Sequence, residues 1–303
     1  MMKTSMPTMA DGGQIKVDVA SAVCLGARSR QEDALVTAFS QGSEIGFAVL
    51  SDGMGGHAAG DLASRIIVTE IFAELTLRSS SPEFDVSEVP GLLRESVSVA
   101  NRCIRAHIDS DPSTSGMGGT VISTVLVDNQ LHWISIGDSP LWLYRNGELT
   151  RLNDDHSMAP QIDLMASQGL IDATEAKDHP QRNCLTSALI GEDIPSIDCP
   201  DEPFELREGD LVLVASDGLE FMPEDQIASI LKRSARKKSD RITTDLIAGV
   251  TGINDPQQDN ISLVVIKASK QDAHSSSAQV SPAAMLKACV RAIAPTGQTA
   301  TRG

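Results

Sequence analysis

Phe47-Ala48-Val49-Leu50-Ser51-Asp52-Gly53 is an apolar run that ends on an aspartate, and Met54-Gly55-Gly56-His57 and a helical pattern follow it instead of a returning strand. The Asp-Gly pair therefore fits a two-residue hairpin poorly. The same ending recurs in Trp133-Ile134-Ser135-Ile136-Gly137-Asp138 and in Leu211-Val212-Leu213-Val214-Ala215-Ser216-Asp217-Gly218. Asp259-Asn260 precedes the run Ile261 to Ile266, and Glu32-Asp33 precedes Ala34 to Phe39. In antiparallel neighbours the exit of one strand lies beside the entry of the next, so one rim of a sheet can collect all of these carboxylates.

Working outward, further strands are expected at Val17 to Cys24, Ile45 to Leu50, Val121 to Val127, Leu131 to Ile136 and Leu141 to Tyr144. Asp128-Asn129 and Asn146-Gly147 fall between apolar runs, where tight hairpins belong. Asp61 to Leu77 and Leu92 to Ile108 place their apolar residues on one face at helical spacing. Many hairpins and few strand-helix-strand alternations give an α+β domain, antiparallel sheets with helices layered outside them. The domain is expected over 16–268, after a flexible N-terminus at 1–15. Asp154 to Arg182 is a polar interruption with a short helical stretch at Gln161 to Gln168, and it reads as a flap. Residues 269–303 form a low-complexity tail in which Met285, Leu286, Cys289, Val290 and Ile293 could share one helix face.

The 303 residues carry 25 basic and 41 acidic side chains, a net charge of −16. Such a chain is repelled by nucleic acid and by anionic membranes unless cations intervene. Aromatic residues make up 3%, too few for base-stacking platforms. The cysteines, Cys24, Cys103, Cys184, Cys199 and Cys289, show no C-x-x-C pair and suit a reducing compartment. No apolar stretch approaches the roughly 18 residues that cross a bilayer, and Met1 to Gly13 has no signal-like core. A soluble, cytoplasmic protein is the expectation. Lys232, Arg233, Arg236, Lys237, Lys238 and Arg241 form a basic island, either a solvated helix end or a dock for an acidic partner.

Two carboxylates about 4 Å apart repel by about 1 kcal/mol in water and about 4 kcal/mol at an effective dielectric of 20. A converged cluster therefore demands cations. Oxygen donors without a His or Cys cluster suit Mg²⁺ or Mn²⁺ better than Zn²⁺. Two such ions sharing an aspartate and a water would make a hydroxide nucleophile near neutral pH and clamp an anionic substrate oxygen, which is machinery for phosphate-ester hydrolysis. Arg28 could offer its fork of donors to the phosphoryl group, with Arg30 the competing candidate.

The ordered motifs resemble those of the PPM (type 2C) metal-dependent protein serine/threonine phosphatases, bacterial members in particular. Arg28-Ser29-Arg30-Gln31-Glu32-Asp33-Ala34 resembles R-x-x-N-E-D-A, and Asp52 to Gly60 matches D-G-M-G-G-H-x-x-G throughout. Gly116 to Thr120, Gly137-Asp138-Ser139, His179 to Arg182, Ser216 to Leu219 and Asp259 to Ser262 complete the set in order. The resemblance covers roughly Val19 to Lys267. It implies a four-layer α-β-β-α sandwich with two central antiparallel sheets and the metals in a cleft at one edge. It further implies that Asp52 bridges two metals, that the Gly53 carbonyl binds one, and that Asp217 and Asp259 bind the other. Glu32 and Asp33 would contact metal or its waters, Asp138 would help hold a third ion, and Arg28 would orient phosphate.

Gln31, Gly119 and Pro140 depart from the pattern, Pro140 replacing the arginine of G-D-S-R. Met54 stands where some relatives have a histidine that is a candidate general acid. The expected activity is hydrolysis of phosphoserine and phosphothreonine in protein substrates by direct attack of a metal-bridging hydroxide, opposite a Ser/Thr kinase. The alternative is a catalytically silent phosphoprotein-binding module of the same fold.

Overall fold

A computed structural model describes residues 15–39, 45–55, 58–81 and 83–270. The strands are β1 (Ile15–Cys24), β2 (Asp33–Ala38), β3 (Ile45–Met54), β4 (Gly118–Gly119), β5 (Val121–Val127), β6 (Gln130–Ile136), β7 (Leu141–Arg145), β8 (Glu148–Arg151), β9 (Phe204–Glu205), β10 (Leu211–Ala215) and β11 (Ile261–Lys270). The helices are α1 (Ala58–Ser79), α2 (Val89–Ser110), α3 (Ala159–Ser167), α4 (Ala173–Lys177), α5 (Glu224–Ser234) and α6 (Ser239–Thr251).

One sheet has the order β1-β11-β10-β7-β8, the other β2-β3-β5-β6-β9, with β4 added at the end of β3. Every ladder is antiparallel. Asp128 and Asn129 both hold positive φ, as do Asn146 and Gly147, so the β5–β6 and β7–β8 hairpins turn as their residues dictate. Period-two alternation sorts the apolar residues of each strand onto two faces. Leu50, Ile122, Trp133, Val212 and Val264 meet between the sheets. Val49, Val121 and Ile134 face α1 and α2 across Ile67, Leu93 and Ile104. Trp142, Leu213 and Val265 pack on α5 and α6 through Ile227, Leu231 and Leu246. Three apolar seams thus hold four layers, helices outside and sheets within.

β5 and β10 occupy the expected residues. β3 runs on to Met54, because β4 pairs with its last residues. Asp52 therefore lies inside a strand instead of beyond its end. The outermost ladder joins Ile15 to Lys270, so the paired core begins one residue earlier and ends two later than 16–268. The proposed tail helix at Met285 to Ile293, most of the 1–15 segment, and Gly56 and His57 lie outside the described residues.

Candidate active site

Leu50 points into the seam between the sheets, and two residues on Asp52 takes the same face. Asp33 is its cross-strand partner. From the other sheet, Ser216 at the end of β10 donates its hydroxyl to Asp33 Oδ2 at 2.8 Å. Asp217 follows, opening a short 3-10 turn, and its carboxyl lies near enough to that of Asp52 for the two like charges to repel. The cleft is thus built where the ends of both sheets meet.

Close backbone approach makes this possible. A Cβ on Gly53 would lie 2.0 Å from the Gly60 carbonyl oxygen at the start of α1. One on Gly218 would lie 1.8 Å from the Asn260 carbonyl oxygen. Asn260 in turn is a hub: its Oδ1 accepts from the Glu32 amide at 2.8 Å, while its Nδ2 donates to the carbonyls of Leu25 and Arg30 at 2.8 and 2.9 Å. Held this way, the 25–32 loop presents Arg28, whose Nη2 donates to Asp259 Oδ2 at 2.5 Å. Arg28, half exposed, is the guanidinium that meets the cluster, and Arg30 contributes a carbonyl to Asn260.

The electrostatics are those of crowded carboxyls. Burial, reinforced by Asp33, Asp217, Asp138 and Asp259, pushes Asp52 well above the usual carboxylate range. Burial raises Asp33 to about 7 against the opposing hydrogen bond from Ser216. Burial and then Asp217 raise Asp138 to about 7, and burial and then Asp259 raise Asp217 to about 6. One buried oxygen on Asp33 and one on Asp217 have no hydrogen-bond partner. Orphaned carboxylate oxygens in a field of like charge are what hard divalent cations satisfy, and the donors are all oxygen. Contact is pairwise, for among the described residues no three His, Cys, Asp or Glu side chains close into a ready-made cage. The residues fit Mg²⁺ or Mn²⁺.

Asp138 lies two residues beyond the end of β6, behind Gly137 at φ 104°. The place of the missing G-D-S-R arginine is Pro140, yet Asp138 does have a guanidinium. Arg151 of β8 donates Nη2 to the Asp138 carbonyl at 2.6 Å and lies 3.5 Å from both Asp155 and Glu220. Spacing along the chain gave no sign of it. Thr120 was likewise missed: its hydroxyl accepts from the Asp52 amide at 3.1 Å and contacts Ser139 at 2.9 Å.

The 154–182 segment carries α3 and α4, tied together by Arg182, which grips Asp163 at 2.6 and 2.8 Å and also reaches the Ala176 carbonyl. Its base is fastened to the cleft: the His156 amide donates to the Gly137 carbonyl, and the Gly137 amide donates to His156 Nδ1. His156 is therefore engaged structurally. Leu164 and Leu170 are 57% and 66% exposed on this segment.

A profile of the family described as Protein phosphatase 2C matches residues 24–248. The chain is 33% identical over 195 residues to the serine/threonine protein phosphatase PstP of Mycobacterium tuberculosis, covering 63% of this chain and 35% of that protein. It spans only about a third of that relative's length. It is 32% identical over 202 residues to the serine/threonine phosphatase stp of Listeria welshimeri, covering 65% of this chain and 76% of the relative. A crystal structure of the PstP catalytic domain in complex with 2 manganese ions superposes with a TM-score of 0.66 at 27% identity, covering 84% of this chain and 99% of that one.

Proposed function

Since the chain belongs to the protein phosphatase 2C family, we propose that it hydrolyses phosphoserine and phosphothreonine in protein substrates, with Mg²⁺ or Mn²⁺ as cofactor and a Ser/Thr kinase as its counterpart. The observation that carries this reading is the meeting of Asp52 from one sheet with Asp217 and Asp259 from the other, beside the Arg28 guanidinium.

Asp52 and the Gly53 carbonyl would hold one ion, with Asp52 shared by a second that Asp217 and Asp259 complete. Glu32 and Asp33 would bind ions or their waters, and Asp138 a third ion. When bound, such cations acidify water and neutralise phosphoryl oxygens. Ser216 fixes Asp33 beside Asp52, so the acidic floor is set before substrate arrives. Asn260 holds the loop from which Arg28 projects, and the guanidinium would trade Asp259 for the phosphoryl oxygens. No side chain here is poised as a covalent nucleophile: the Ser216 hydroxyl is fully buried and given to Asp33, and Cys24, although Arg30 follows it at Cys-x5-Arg spacing, packs against the core beneath α5 and α6. Direct displacement by water follows. Exposed Leu164 and Leu170 on the flap segment support action on proteins, and a cytoplasmic setting accords with there being no described helix long and apolar enough to cross a membrane.

The test is turnover of p-nitrophenyl phosphate and of a phosphothreonine peptide with Mn²⁺, Mg²⁺, Ca²⁺ or EDTA, on the native protein and Asp52→Asn. Activity in Mn²⁺ that EDTA and Asp52→Asn abolish is expected. Turnover surviving either change sinks the reading.

A further inference from the structure

β1 is an edge strand, paired on one side only with β11. In an antiparallel edge strand alternate residues turn both N–H and C=O outward. The ladder itself reveals which ones. The Ser216 amide donates to the Ser262 carbonyl and the Ala268 amide to the Asp210 carbonyl, so the even-numbered residues of β11 turn to β10 and its odd-numbered residues to β1. Those odd-numbered residues pair with Lys16, Asp18, Ala20, Ala22 and Cys24, so the odd-numbered residues of β1 face out, as the Ile15 amide does in donating to Asn129 Oδ1. Ser21 and Val23 thus present outward backbone groups that, among the described residues, no side chain takes.

These groups line a groove of about 490 Å³ between β1 and α6, walled by Val23, Thr243, Thr244 and Ile247. The side chains are small or apolar, as an added strand requires. One end, at Val23, lies next to the ladder pair Cys24 and Ile261, two residues from Asp259. The other end opens at Asp18 and the α5–α6 turn.

That turn is the basic island. Residues 232–245 hold six cations against Asp240 and Asp245, in a chain whose whole charge is −16. Asp245 takes Lys237 at 2.7 Å and Arg241 at 3.1 Å. Arg233 donates to Ser229. Lys232, Arg236 and Lys238 are exposed and, among the described residues, have no acidic partner. Asp240 sits at the groove itself, so an anionic occupant must reach past it to the turn.

We propose that this groove docks an extended segment of the phosphoprotein substrate, added to the free edge of β1, with acidic residues of that segment seated on Arg236 and Lys238. The inference rests on the phosphatase reading and names the substrate class: proteins with an acidic block at a distance from the phosphoresidue. Cys24 is six positions along the strand from Asp18, about 20 Å at roughly 3.3 Å per step. An extended peptide covers that span with about six residues. Charge complementarity selects the partner, and backbone pairing fixes its path.

The experiment uses phosphothreonine peptides with four glutamates starting about seven residues from the phosphothreonine, on the N-terminal side in one and the C-terminal side in the other. Matched peptides carry glutamine instead. With the native protein at low salt, one glutamate peptide should show about tenfold higher kcat/KM than its control, through KM, and the gap should close in about 0.5 M salt. Arg236→Glu/Lys238→Glu, both on the exposed turn, should bring the ratio to within about twofold with p-nitrophenyl phosphate turnover unchanged. Ser21→Pro should do the same, because an outward-facing edge position tolerates the lost N–H. Fluorescence anisotropy of the unphosphorylated glutamate peptide reads docking without turnover. Binding that the turn variant loses supports the groove even from a protein inert towards p-nitrophenyl phosphate, an outcome that would defeat only the phosphatase reading. The proposal is overturned by equal kcat/KM for the two peptides, or by a preference that survives the turn variant. It is also overturned if an oligonucleotide or phosphatidylserine vesicles bind as tightly as the peptide, or if the turn proves to be a dimer contact by sedimentation.

Discussion

Asp33 and Asp52 stand directly opposite each other across the β2–β3 ladder, two acids on neighbouring strands facing the same seam. Directly opposed like charges destabilise a sheet, and here both are also buried. Asp52→Asn should therefore cut turnover by at least about a thousandfold while stabilising the metal-free protein by about 1–2 kcal/mol. Thermal melts in EDTA, set beside p-nitrophenyl phosphate assays in Mn²⁺, check both halves. A variant that is dead but no more stable would mean the pair is not in conflict.

The metal-free protein should lose stability as pH rises from about 4 to about 7. Asp33 and Asp138 bind their protons up to about 7 and Asp217 up to about 6, whereas in the unfolded chain they release them near 3.8. Across that window the folded state holds more protons, so each increment of pH favours unfolding. Each pKa unit is worth about 1.4 kcal/mol, and the total reaches several kcal/mol, less than a simple sum because the groups share their repulsion. Melting temperature against pH in EDTA should fall through this range, and saturating Mn²⁺ should flatten the curve.

Gly53→Ala should be destabilising by about 2–4 kcal/mol, since its Cβ would press on the Gly60 and Glu32 carbonyl oxygens, backbone atoms that cannot step aside. Chemical denaturation measures this. Ordinary stability would mean the two backbones are farther apart than described.

Arg151→Ala should weaken the response to Mn²⁺ at the Asp138 side. Arg151 lies across from Trp142 in the β7–β8 ladder and lowers the Asp138 pKa against its burial. The concentration of Mn²⁺ for half-maximal activity should rise several-fold, with Arg151→Lys recovering part of the loss. An unchanged metal titration would assign Arg151 to packing alone.

Much of this fold can be read from the residues because periodicity is local. Leu211–Ala215 and Val121–Val127 are apolar runs bounded by turn residues, and they are the strands they promise to be. Gly118–Gly119 and Phe204–Glu205 carry no such pattern, since a neighbour's edge makes them strands. α5 was legible but unread: Glu224 and Asp225 open it, Lys232 and Arg233 close it, and Ile227, Ile230 and Leu231 fall at helical spacing. At the site, acids at strand ends gave away Asp52, Asp138, Asp217 and Asp259. Asn260, Thr120 and Arg151 act through bonds to residues distant in the chain, and a single sequence does not show who meets whom.

The acids of the cleft arrive from opposite leaves of the sandwich, Asp33 and Asp52 on one, Asp217 and Asp259 on the other. A cation seated among them would work as a rivet through both leaves. Catalytic competence then reports on their alignment, and a slip of an ångström between them would silence the protein long before it melted.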